Sequence, residues 1–159
     1  MSTIDTALKN LNITLPPAPK PVASYIPFVQ ISRGGGNLVF ISGQIAIKDG
    51  QIQIAGPIPS AQSIEQGQQA ARLCIINALA VLKDACNGDL DNVARIVRIG
   101  VFVQSDTGFD QQAKVANGAS DLLIAIFGDA GKHARAAVGT NALPLNTTVE
   151  IELLAELKT

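Results

Sequence analysis

Hydrophobic and polar residues alternate most regularly near the C-terminal end of the chain. From residue 149 to residue 157, apolar side chains occupy every second position, and three of the four positions between them carry carboxylates. This period of two predicts a strand with one buried face and one mainly acidic face. Pro144 and Asn146 just before it favour a reversal of the chain between Leu143 and Thr147. We therefore predict a hairpin whose first strand begins near Arg135.

Two further strands are predicted in the N-terminal half, Tyr25–Ser32 and Asn37–Gly43, with Arg33–Gly36 between them. A phosphate-binding loop would require a helix after these glycines, and the apolar run that follows predicts a strand instead. A hairpin turn is therefore the favoured interpretation. Residues 52–58 predict an edge strand or an irregular segment that ends among prolines.

Two longer segments follow the three- and four-residue spacing of helices. One begins at Ser60 or Ser63 and ends near Cys86, and the other runs from Asp110 to Phe127, where Gly128 ends it. The apolar run Val93–Gln104 lies between them and predicts a central strand with Val97, Ile99, Val101 and Val103 on one apolar face. The order of elements predicts an α+β fold, with two helices packed on one face of a mixed sheet.

The first 24 residues predict a short helix over residues 2–11, followed by an extended connector rich in proline. We expect this segment, residues 1–24, to pack on a single domain of residues 25–159. No metal-binding motif or apolar run long enough to cross a bilayer occurs, so a cytoplasmic protein is expected. Cys74 and Cys86 lie in a helical pattern without metal-ligand spacing, which favours buried structural thiols.

The charge of the chain makes a polyanion an unexpected partner. The formal net charge is -1, and Lys and Arg form no run. Neither nucleic acid nor an anionic membrane surface is therefore expected to bind.

Arg135 and Glu150 are the main candidates for chemistry. Each could be a solvated or paired surface residue, but a guanidinium also matches the two oxygens of a carboxylate, and a glutamate can hold a water molecule. In the predicted hairpin they would stand roughly 16 Å apart. We therefore predict that they meet across a subunit interface. His133, the only histidine, is expected to have a packing or surface role more readily than an acid–base role.

Several segments together resemble the RidA/YjgF family of reactive-intermediate deaminases. They are Phe28-Val29-Gln30, Phe40–Ile45, Val101-Phe102-Val103, Ala134-Arg135 through Leu143-Pro144, and Val149–Glu152. The resemblance spans residues 25–157 and implies a chorismate-mutase-like fold of the bacillus type. It also implies a homotrimer whose intersubunit clefts hydrolyse enamines and imines to 2-oxo acids and ammonia without a cofactor.

The resemblance also implies roles for individual residues. Arg135 would hold a substrate carboxylate, and Glu150 would position water. The substrate-binding positions would be Ser42, Gly43, Phe28, Asn117, Ala137 and His133. Phe28 stands where the family has a tyrosine, Ala137 where it has a cysteine, and His133 where it has a proline. These departures indicate a changed substrate, or a trimer that binds or senses a small carboxylate without turnover. Ribonuclease activity, a label that some relatives carry, is disfavoured by the acidic charge balance and the single histidine.

Overall fold

A computed structural model of the protein describes residues 2–18, 24–33 and 36–159. Within these residues, three α-helices and seven strands follow one another. In chain order they are α1 (Thr3–Asn10), β1 (Phe28–Arg33), β2 (Gly36–Ile45), β3 (Ile47–Lys48), β4 (Gln51–Ile52), α2 (Ile64–Ala85), β5 (Val93–Gln104), α3 (Gln112–Phe127), β6 (Ala134–Thr140) and β7 (Val149–Leu157). Three short 3₁₀ turns lie at Leu90–Asn92, Gly128–Gly131 and Pro144–Asn146. Gly34 and Gly35 of the predicted turn, and residues 19–23 of the predicted connector, lie outside the described residues.

The main sheet has the strand order β1-β2-β7-β5-β6. Strand β6 runs parallel to β5, and every other neighbouring pair in this sheet is antiparallel. The predicted hairpin of the last two strands is therefore wrong, because β5 lies between β6 and β7. The chain does turn at Pro144–Asn146, where Leu145 and Asn146 adopt positive φ. Alternation reveals which side chains share a face, but a strand's neighbours depend on how the whole sheet assembles.

The two long helices agree with the prediction and cover one face of the sheet. Helix α2 begins after a capping box in which Ser63 accepts a hydrogen bond from the Gln66 amide and Gln66 caps Ser63 in return. Helix α3 ends at Gly128, which has φ of 59°. Cys74 and Cys86 are both buried, as predicted.

Strand β5 departs from simple alternation twice, at register shifts between Val93 and Arg95 and between Ile96 and Arg98. The second shift puts Ile96 in the core and leaves Val97 only partly buried. The prediction that Val97 belongs to the core face is therefore wrong, since a bulge changes which residues face inward. From Ile99 onward the predicted faces hold, with Ile99, Val101 and Val103 buried.

The second face of the sheet carries no helix and exposes several large apolar side chains. Val29 and Phe40 lie on β1 and β2 and are 47% and 43% exposed, and Val138 on β6 is 48% exposed. Arg98 and Glu152 form an ion pair on this helix-free face, with 2.8 Å between Nη1 and Oε1. Because soluble chains seldom leave a large apolar patch in water, this face has the composition of an interaction surface.

Helix α1 is attached to the domain through a distant carboxylate. Asp91 accepts hydrogen bonds from the Thr3 and Ile4 amides at 2.8 and 2.9 Å, and the Ser2 hydroxyl accepts from the Asp5 amide. These acceptors satisfy amide groups that have no partner inside the first helical turn. Leu8 lies in the core beyond them. The described part of the chain contains no helix of the length and apolarity that crossing a membrane requires.

Candidate functional site

Arg135 lies on the edge strand β6 and is held by helix α3. It pairs with Ile99 of β5, a core residue, so its side chain emerges on the helix-covered face of the sheet. Its Nη1 donates hydrogen bonds to Asn117 Oδ1 and Ser120 Oγ, both at 3.0 Å, and Nη2 donates to the Ala113 carbonyl at 3.2 Å. One edge strand and one helix therefore fix the guanidinium.

This arrangement leaves two donors of Arg135 available. A guanidinium has five N–H groups, and the three bonds to α3 engage three of them. Among the described residues, the Nε–H and one Nη2–H have no acceptor. These two nitrogens are adjacent and form the fork that matches the two oxygens of a carboxylate.

His133 reaches the same place through Ser120. Its Nε2 lies 3.0 Å from Ser120 Oγ, and its Nδ1 lies 2.6 Å from the Gly131 carbonyl oxygen. We call Asn117, Ser120, His133 and Arg135 the Arg135 cluster. It unites three of the residues predicted for the site with Ser120, which was not predicted.

Ala137 lies two residues beyond Arg135 on the same face of β6. It pairs with Val101 and is partly buried against the core. It contributes only a methyl group to the surface beside the guanidinium.

Glu150 lies on the opposite side of the sheet from Arg135. It pairs with Phe102 of β5 and Ile45 of β2, and its carboxylate lies over Gly43, where a methyl group would overlap Oε1. The side chain is half-buried, and this burial, together with the negative charge of Glu152, raises the pKa of its carboxyl group. A carboxylate of raised basicity is suited to accepting a proton from water.

Ser42 and Gly43 occupy an irregularity of β2. The register with β7 shifts between Ile41 and Gln44, so these two residues lie outside the regular pairing. The Ser42 hydroxyl and amide donate to the Ile26 and Pro27 carbonyls at 3.0 and 3.1 Å. We call Ser42, Gly43 and Glu150 the Glu150 cluster.

Phe28 belongs to neither cluster within one chain. Pairwise registers connect Arg135 to Ile99, Leu153, Ile41 and finally Phe28, in one row across all five strands. Four strand spacings separate the two ends of this row by about 19 Å. Phe28 is partly buried against the core at the edge opposite Arg135.

The two clusters are also separated within one chain. Arg135 pairs with Ile99 and Glu150 with Phe102, on opposite sides of β5. Two strand spacings and three residues along β5 place their backbones about 14 Å apart, and their side chains point to opposite faces. The hairpin that first suggested their separation is wrong, yet the separation itself holds for a different geometric reason.

Ser120 could have been found from helical spacing. Asn117 and Ser120 differ by three positions, so they lie on one face of a helix. What the sequence lacked was any indication that β6 places Arg135 against that face. No group of three or more His, Cys, Asp or Glu side chains in the described ranges could hold a metal ion.

Comparison with known proteins identifies the family. A family model described as "YjgF/chorismate_mutase-like, putative endoribonuclease" matches residues 6–157. The chain belongs to this family. The predicted family and the predicted α+β, chorismate-mutase-like fold are therefore both confirmed.

Several relatives and solved structures match nearly the whole chain. Protein TCP17 of Trypanosoma cruzi is 39% identical over 151 residues, which are 94% of this chain and 91% of TCP17. The crystal structure of Atu1372 from Agrobacterium tumefaciens, a protein of unknown function, has 42% identity and a TM-score of 0.89, covering 98% of this chain and 93% of its own. A structure from Shewanella oneidensis, with the same endoribonuclease label, has 30% identity and a TM-score of 0.91, covering 98% and 100%.

Proposed function

We propose that the protein is a homotrimer that hydrolyses reactive imines and enamines of amino acids to 2-oxo acids and ammonia. The observation that carries this proposal is the Arg135 guanidinium, which α3 holds while two adjacent N–H groups stay available for a carboxylate. Every such substrate carries a carboxylate beside its reactive carbon. Arg135 would therefore place that carbon at a fixed distance from the protein.

An intersubunit cleft would bring the two clusters together. Arg135 and Glu150 lie on different faces of one sheet, so they can meet only if a second copy of the chain supplies one of them. The helix-free face exposes Val29, Phe40 and Val138, which would be covered by assembly. The trimeric number rests on the resemblance to the RidA/YjgF family.

The reaction needs only water and proton transfers. An enamine first takes a proton at carbon and becomes a protonated imine. Water then attacks the imine carbon, Glu150 accepts one proton of this water, and the electron pair of the C=N π bond moves to nitrogen. Glu150 returns the proton to nitrogen, the C–N bond breaks with its electron pair on the departing ammonia, and the remaining hydroxyl proton is released to Glu150 or water as the carbonyl forms. No oxidation level changes, so orientation and electrostatics suffice.

A coupled assay tests the proposal. An amino-acid oxidase or dehydratase generates 2-aminoacrylate or a related imine, whose decay is followed with wild type, Arg135→Ala and Arg135→Lys. Loss of two charge-assisted hydrogen bonds, at about 1.5 kcal/mol or more each, predicts at least a 100-fold fall in kcat/KM for Arg135→Ala. Arg135→Lys keeps the charge but lacks the fork, and should recover little. Arg72→Ala, on α2, is the matched control and should behave as wild type. Equal rates of imine decay with wild type and Arg135→Ala would contradict the proposal.

A second candidate is a trimer that binds or senses a small carboxylate without turnover. Phe28 and Ala137 favour it, because neither offers a hydroxyl or thiol to a reacting substrate. A raised melting temperature with pyruvate or a larger 2-oxo acid, combined with no acceleration of imine decay, would select this function.

The endoribonuclease label of relatives receives less support from this chain. Its net charge of -1 offers no general attraction for RNA. Its one histidine has both ring nitrogens engaged, by Ser120 and by the Gly131 carbonyl. RNA cleavage that survives Arg135→Ala and disappears on repurification would indicate a contaminant.

A further inference from the structure

The hydrogen bonds around His133 have a direction that follows from their chemistry. The Gly131 carbonyl oxygen can only accept, so Nδ1 of His133 must carry the hydrogen. In the neutral ring, Nε2 is then an acceptor, and the Ser120 hydroxyl donates to it. The lone pairs of the same hydroxyl remain free to accept from Arg135 Nη1.

Each link of this chain is placed by a different element. Gly131 lies in the 3₁₀ turn after α3, and a side chain there would overlap the Leu123 carbonyl oxygen. The turn therefore lies against α3 and directs its carbonyl towards His133. Ser120 comes from α3 itself, and Arg135 from β6. Helix α3, the 3₁₀ turn after it and the first residues of β6 therefore together set the position of the guanidinium.

We propose that His133 and Ser120 are positioning residues that orient Arg135 and do not contact the substrate. His133 fixes the hydroxyl of Ser120 as a donor to its ring, and this makes the Ser120 oxygen an acceptor for Nη1 of Arg135. The Ser120 oxygen, Asn117 and the Ala113 carbonyl together accept three N–H groups of the Arg135 guanidinium. Its Nε–H and one Nη2–H are left for a ligand. The identity of that ligand as a carboxylate rests on the proposed function.

This positioning role of His133 differs from the substrate-binding role that the resemblance implied. Both ring nitrogens are occupied inside the protein, so the ring has no N–H or lone pair left for a substrate. A substitution of His133 should therefore act through the guanidinium. The effect would be weaker binding of the carboxylate, with little change in the chemical step.

Nuclear magnetic resonance of the folded protein tests the hydrogen-bond chain without any ligand. The chain has one histidine, so ¹⁵N-histidine labelling reports on His133 alone. With the ring neutral, we expect the hydrogen on Nδ1 in wild type and in Ser120→Thr, and a changed Nε2 shift in Ser120→Ala. The Arg135 Nε–H signal, assigned by its loss in Arg135→Lys, should broaden or shift in Ser120→Ala and His133→Ala. Ser120→Thr, which keeps the hydroxyl, should leave it close to wild type.

Two results would overturn the inference. One is a hydrogen on Nε2 of His133 in wild type, and the other is an Arg135 signal that is unchanged in Ser120→Ala. Neither depends on imine hydrolysis, so failure of the proposed function would be recognised separately in the coupled assay. If hydrolysis is observed, Ser120→Ala should raise KM about fivefold with kcat nearly unchanged, and Ser120→Thr should restore KM.

Discussion

The two clusters hold their charged groups by opposite means. The guanidinium of Arg135 is fixed by three hydrogen bonds that it donates to α3, and it lies at an edge of the sheet, exposed in a single chain. Glu150 instead lies half-buried over Gly43, on a strand paired on both sides, with Glu152 as a like-charged neighbour. Hydrogen bonding orients a charge, whereas burial beside a like charge changes its basicity. The first arrangement suits binding and the second suits proton transfer.

The separation of the two clusters gives the largest expected effect. If the proposed trimer has shared clefts, Arg135→Ala and Glu150→Ala proteins should each be inactive, whereas their mixed trimers should contain some sites built from one intact half of each. Random mixing in equal amounts should restore about one quarter of the wild-type sites. The measurement is imine decay after the two proteins are unfolded and refolded together. A mixture no more active than its separately refolded components would show that one chain supplies both groups.

Substitution of Gly43 should give the next largest effect, because the Glu150 carboxylate occupies the space that a side chain at position 43 would fill. A methyl group at position 43 would overlap Glu150 Oε1, and the flexible carboxylate would have to move. Gly43→Ala should therefore fold with nearly the wild-type melting temperature but lose about 10- to 100-fold in kcat/KM. Gly36→Ala on the same strand is the control, since its methyl group would face Glu156, 3.0 Å from Oε1. Equal activity of both variants would contradict a role for Glu150 in catalysis.

The pH dependence should separate the two causes that raise the Glu150 pKa. Activity that requires the carboxylate is lost as pH falls through this raised pKa. Glu152→Gln removes the smaller cause and keeps burial, so the acid limb of the pH profile of kcat/KM should move to lower pH. Glu156→Gln, farther along the same strand, should leave the limb in place. A limb that moves upward with Glu152→Gln would refute this assignment.

The attachment of α1 should affect stability and leave both clusters intact. Hydrogen bonds from the Ile4 and Thr3 amides lower the pKa of Asp91, so its stabilising effect is present above the ordinary carboxyl range and is lost as pH falls through the lowered pKa. Asp91→Asn should lower the melting temperature at neutral pH, and the difference from wild type should shrink in acid. Asp121→Asn is the control. Substantial loss of imine hydrolysis in Asp91→Asn at a temperature where it is folded would indicate that α1 contributes to the site.

Local patterns predicted most of the elements correctly. Alternation predicted Val149–Leu157, and helical spacing with a serine cap and a glycine stop predicted α2 and α3. These features depend on residues a few positions apart, so the sequence records them directly. The bulge between Ile96 and Arg98 escaped prediction, because its register depends on pairing with β7.

In the candidate site too, the sequence indicated individual residues but not the contacts between distant ones. The sequence and its resemblance to a family pointed to Arg135, Glu150, Asn117 and His133, but not to their grouping. Ser120 was missed because its importance comes from His133 and Arg135, which arrive 13 and 15 residues later on another element.

The sequence by itself determined the α+β character, the limits of the long helices and the acidic face of β7, because each follows from periodicity and from capping residues. Only the tertiary structure decided that β5 lies between β6 and β7, which removed the hairpin and placed Arg135 against α3 and Glu150 on the other face. Strand order depends on contacts between residues far apart in the chain, and periodicity contains no information about those contacts.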